Sequence, residues 1–69
     1  MKNDDPLALI NRQVIINYET SDPYSSLKGR IVGYDESTRM FLIRFSLAEI
    51  DFFKLSKTKS YLRKGFSLV

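Results

Sequence analysis

The chain contains no cysteine and no histidine. Without cysteine there is no disulfide framework and no thiolate nucleophile; without histidine the usual general base at neutral pH is missing, and so are the Cys/His zinc sites. Ser25, Ser26 and Ser56 therefore have no imidazole partner for a serine triad. The carboxylate pairs Asp35-Glu36 and Glu49-Asp51 fall on a hairpin turn and a strand surface, which do not enclose the pocket that acid/base chemistry requires. The sequence is read as that of a non-enzyme, with no catalytic residue, metal ligand or cofactor assigned. No apolar run approaches the ~20 residues needed to cross a bilayer, and no basic region followed by a long apolar core opens the chain. A cytoplasmic or nuclear location without a membrane partner is expected. The last absence is local: residues 1 to 53 hold six basic and eight acidic side chains, whereas 54 to 69 hold five basic and no acidic ones.

What is present is enough for one core. The 69 residues are 43% apolar and include four tyrosines and five phenylalanines, which predicts a single folded domain over residues 1–69 rather than a disordered chain. Residues 1–6 are expected to be flexible at their start, with Asp5-Pro6 offering an N-cap and a first helical position before a short turn through Leu7 to Ile10. Gln13 to Tyr18 alternates with a period of two and reads as a strand, and Glu19 to Ser26 has the composition of a loop. Leu27 to Tyr34 is predicted as strand two, with Gly29 and Gly33 where a strongly bent strand excludes a Cβ. Asp35 to Arg39 is a polar hairpin, Met40 to Phe45 strand three, Ser46 to Glu49 a tight turn and Ile50 to Leu55 strand four. A fifth strand near Tyr61 or Phe66 would close the meander. The expected fold is all-β, a small barrel of four to five bent antiparallel strands with a core that includes Val14, Ile16, Ile31, Phe41, Ile43 and Phe52.

The run Lys28-Gly29-Arg30-Ile31-Val32-Gly33-Tyr34-Asp35, followed after a polar connection by Phe41-Leu42-Ile43-Arg44-Phe45, resembles the Tudor-like pattern within the SH3-like barrels. Asn11 to Tyr18 is similar to that family's first strand and Ile50 to Leu55 to its fourth, so the likeness covers residues 11–56. The resemblance implies the barrel architecture and an aromatic cage for a methylated lysine or arginine, a soft cation favoured by π-faces. Tyr18 and Phe45 match two walls of such a cage. Leu27 stands where many methyl-readers carry an aromatic, and Leu47-Ala48-Glu49 stands where the family shows an Asp-Gly run, leaving Glu49 as the carboxylate that would meet a cation.

Two partner classes follow from the residues themselves. A protein or peptide is the leading expectation, bound through Tyr18, Tyr24, Phe45 and Glu49, because acidic residues in and beside the loops would repel phosphates. Tyr24, central in a polar loop, is expected to be exposed. The alternative is nucleic acid held by Lys54, Lys57, Lys59, Arg63 and Lys64, a basic tract interleaved with Tyr61 and Phe66. An exposed tyrosine beside Arg30 or Arg44 would also stack on bases or line a peptide groove. Met40 to Phe45 is apolar on nearly both sides, so a second layer is expected over it: the N-terminal turn, the C-terminal apolar residues or another subunit, with a monomer favoured over a homodimer.

Overall fold

The computed structural model of the chain describes residues 5–46, 48, 50–51 and 54–69. At its start the Asp5 carboxylate accepts a hydrogen bond from the Leu7 N–H at 3.0 Å and Pro6 takes the first helical position, where no donor is needed. A 3-10 turn, Pro6–Leu9, results. Asn11 then adopts a left-handed conformation at φ 75° and redirects the chain into β1, Gln13–Ile16.

Four further strands follow: β2, Lys28–Asp35; β3, Met40–Phe45; β4, Thr58–Leu62; and β5, Phe66–Leu68. Every pairing is antiparallel and the sheet order is β4-β3-β2-β1-β5. β4 and β5 are thus the two edges of the sheet, yet only a second 3-10 turn, Arg63–Gly65, links them. Flat strands would set these edges about 19 Å apart, whereas the link reaches about 14 Å even when fully extended. The sheet must therefore curl. It does so around its own side chains, and Phe66 of β5 meets Phe41 of β3 edge-on with ring centroids 5.4 Å apart.

The all-β barrel is as expected, and two devices in β2 produce the bend. Ile31 pairs with Ile43 and Gly33 with Leu42, so Val32 is an extra residue, a bulge that sharpens the local twist. At Gly29 a Cβ would lie 2.6 Å from Ile43 Cγ2 and 3.0 Å from the Arg44 carbonyl oxygen, so only glycine lets β2 and β3 approach there. Gly33 differs from expectation: a Cβ there would meet only ordinary contacts, the nearest at 3.8 Å.

Period-two alternation sends Val14, Ile16, Ile31, Phe41 and Ile43 inward, all at most 4% exposed, as the sequence predicts. Tyr24, Leu27, Phe45, Ile50, Tyr61 and Phe66 complete the buried cluster. Phe52 lies outside the described residues. Leu9 and Ile10 pack from the N-terminal turn onto the same cluster, so this turn and the C-terminal apolar residues plug the barrel instead of covering its outer face. No second layer of the described chain lies over β3 there, and Leu42 remains 38% exposed.

The strand expected over Ile50 to Leu55 is corrected. Ala48, Ile50 and Asp51 are helical, the Leu55 N–H donates to the Ile50 carbonyl, and Lys54 is left-handed at φ 57°. A short apolar run bounded by polar residues does not by itself distinguish helix from strand. The fourth strand is instead the polar segment beginning at Thr58, which pairs with β3 on one side only. Such an edge strand needs few apolar side chains. Among the described residues no helix is long and apolar enough to cross a membrane.

Candidate functional site

Alternation along each strand divides the cations into two populations. On β4, Lys59 pairs with Ile43 and Tyr61 with Phe41, and directly opposed residues share a face, so both Lys59 and Tyr61 lie on the inner side at one end of the barrel. The β1–β2 loop brings Asp22 to them. Its Oδ1 accepts from the Tyr24 N–H at 2.9 Å and from Lys59 Nζ at 3.4 Å, while its Oδ2 accepts from the Tyr61 hydroxyl at 2.8 Å. Lys59 also sits over the Tyr24 and Tyr61 rings at 5.0 and 5.1 Å. Burial alone would raise the Asp22 carboxyl, but the Tyr24 N–H, the Tyr61 hydroxyl and the Lys59 ammonium hold it below its ordinary value. The same burial, then the bond to Asp22 and its negative charge, push the Tyr61 hydroxyl well above the usual range.

This latch overturns the expected exposure of Tyr24, which is 6% exposed. Its ring packs against Phe45 at 4.7 Å and its hydroxyl donates to the Ser56 carbonyl at 3.1 Å. Polar loop composition misled here because the loop folds back over the barrel end, and one large ring closes it. Phe45 is buried as well, at 3% exposure, so the expected cage wall faces Tyr24 and the core. Tyr18 lies beyond the end of β1 and is strongly exposed, so Tyr18 and Phe45 do not stand as two open walls. Glu49 lies outside the described residues.

The C-terminal cations are also divided. Lys59 is engaged by Asp22, and Arg63 donates to the Phe66 carbonyl at 3.1 Å while lying over the Phe66 ring at 5.1 Å. Lys54, Lys57 and Lys64 are exposed. The expected acidic rim is likewise partly occupied. Asp22 is latched, and Asp35 accepts from the Ser37 hydroxyl at 2.7 Å and the Ser37 N–H at 2.9 Å, bonds that lower its pKa.

The second population lies on the outer face of the sheet. Gln13 pairs with Arg30, Arg30 with Arg44 and Arg44 with Thr58, a row across four strands about 14 Å long. All four are exposed. Lys28 extends the row's charge along β2, and beside the arginines stand Val32 and Leu42, 40% and 38% exposed. Arg30 is oriented by the Asn11 carbonyl, which accepts from its Nη1 at 2.8 Å. Gln13, Gly29, Arg30, Val32, Arg44, Phe45 and Ser46 line an open groove of about 360 Å³. Within the five strands the one carboxylate is Asp35, at the far end of β2. Among the described residues the one ion pair is Lys59 with Asp22, so neither arginine has a carboxylate partner there.

The sequence carried a signal for this row. Lys28, Arg30 and Val32 alternate with the inward Gly29 and Ile31, and Leu42 and Arg44 alternate with Phe41, Ile43 and Phe45. What it lacked was the register that sets Arg30 against Arg44. Among the described residues no group of three or more His, Cys, Asp or Glu side chains is placed to hold a metal ion. No protein-family model, curated protein or solved structure matches this chain.

Proposed function

We propose that this barrel is a non-catalytic module that binds nucleic acid across the outer face of its sheet. The observation that carries the reading is the direct opposition of Arg30 and Arg44 on neighbouring strands without a carboxylate partner among the described residues. Like charges directly opposed in a sheet are destabilising, and a phosphate bridging two guanidinium groups converts that repulsion into charge-assisted hydrogen bonds. Lys28 supplies a further cation, and Gln13 and Thr58 supply uncharged donors at the ends of the row. The contacts of the alternative expected from sequence thus move from the C-terminal tract to the sheet, with Lys54, Lys57 and Lys64 as outlying contributors. The reading is tested by the salt dependence of oligonucleotide binding. Arg30→Gln combined with Arg44→Gln should flatten the log–log salt slope by about 0.7 to 0.9, the share of the one phosphate that the two guanidinium groups bridge. Lys57→Gln combined with Lys64→Gln should flatten it less; the opposite order would return the site to the tail.

A protein or peptide partner is the second reading, supported by another groove of about 530 Å³ lined by Pro6, Tyr34, Glu36, Arg39, Phe41 and Arg63. Its half-buried Tyr34 lies against Phe41 at 4.7 Å and offers an aromatic wall between charges of both signs. Loss of partner binding on Tyr34→Ala, with the arginine variants binding normally, would favour it.

A further inference from the structure

The outer face joins two chemistries that a phosphate-only site does not need. On β2, Arg30 is followed two residues later by Val32; on β3, Arg44 is preceded two residues earlier by Leu42. Residues two apart on a strand share a face, so Val32 lies on the side of Arg30 and Leu42 on the side of Arg44. The bulge sets Gly33 opposite Leu42, so the directly opposed cationic pair stands about 6.8 Å along the strands from two apolar side chains placed diagonally. Both apolar side chains are open to solvent, and alternation with Ile31 keeps Val32 on the face of Arg30.

We infer that these four side chains select single-stranded nucleic acid, seating a phosphate between Arg30 and Arg44 and an unpaired base on Val32 and Leu42. The inference rests on the nucleic-acid reading above and names the form of the ligand. Three features separate a single strand from a duplex. An unpaired base can lie on an apolar or guanidinium surface, whereas bases in a duplex are already stacked and turned away from such a face. The outer side of a sheet curled around its own core is convex, and a duplex, stiff over about 50 nm, touches a convex surface at few points. A flexible strand follows the row from Gln13 to Thr58. Finally, no described element is a helix or projecting ribbon of the size that enters a major groove.

The experiment uses the full chain and two fluorescein-labelled probes of about twelve nucleotides, an oligouridylate and a blunt mixed-sequence duplex of equal length, read by anisotropy at low salt. The oligouridylate should bind at least about fivefold more tightly than the duplex. Leu42→Ser combined with Val32→Ser should erase most of that preference and leave duplex affinity unchanged. Because both positions are exposed, the fold should survive; a thermal melt checks this, and Leu42→Ser alone serves as a milder variant. Equal or tighter duplex binding, or a preference untouched in folded Leu42→Ser, overturns selection of single strands while leaving nucleic-acid binding intact. Failure of both probes to bind overturns the nucleic-acid reading itself.

Discussion

β4 separates two kinds of positive charge. Lys59 projects to the inner side, where Asp22 and two tyrosine rings surround it, while its neighbour Thr58 joins Arg44 and Arg30 on the outer side. The first cation ties a loop to the barrel end; the arginines have no such internal carboxylate among the described residues. The densest basic stretch of the sequence is therefore not where the most available charge lies. Strand alternation, combined with which loop folds over which end, decides whether a cation is structural or available.

The largest loss of stability is expected at the core. Ile43 is fully buried, and Ile43→Asp places an uncompensated charge among apolar side chains, so the chain should show no cooperative thermal transition. Arg44→Asp, one residue on but facing out, should melt within a few degrees of the parent. On the latch side, Tyr24→Ala removes a ring packed on Phe45 and should cost about 3 kcal/mol by urea denaturation. Gly29→Ala should cost about 1–3 kcal/mol because its Cβ overlaps Ile43, whereas Gly33→Ala should be nearly neutral.

A smaller effect is expected from pH. The folded Asp22 carboxyl titrates below its ordinary value of 3.8, so its stabilisation is complete above that value and is lost as pH falls through the folded pKa. Tyr61 carries the opposite sign: its pKa is raised above 10.0, so stability falls as pH climbs past that value. Asp22→Asn should flatten part of the acid limb and, by weakening its bonds to Lys59 and Tyr61, lower stability at neutral pH by about 1 kcal/mol. A change as small as that of Gly33→Ala is expected for Arg30→Gln with Arg44→Gln, within about 0.5 kcal/mol, because no internal ion pair is lost and a cross-strand repulsion is relieved.

Local pattern made the barrel legible through particular residues. Alternation placed Val14, Ile16, Ile31, Phe41 and Ile43 inside, and Asp5-Pro6 marked the first turn. Thr58 to Leu62 escaped because an edge strand with one solvated face carries little apolar signal, while the apolar residues from Ile50 to Leu55 mimicked a strand. Tyr24 escaped for a nonlocal reason: its burial depends on an 11-residue connection, 17–27, folding back to reach Phe45 and Ser56. The arginine row was half visible. Period two puts Arg30 and Arg44 on solvent-facing positions, but only the β2–β3 register, shifted by the Val32 bulge, sets them side by side.

The outer-face site can be mapped by amide chemical shifts, with labelled protein titrated by a short single-stranded oligonucleotide at low salt. The largest shifts should fall on Gln13, Arg30, Val32, Leu42, Arg44 and Thr58, with Asp22, Lys59 and Tyr61 little changed. Shifts concentrated at Lys54, Lys57 and Lys64 with a silent outer sheet face, or no shifts at all, would contradict it.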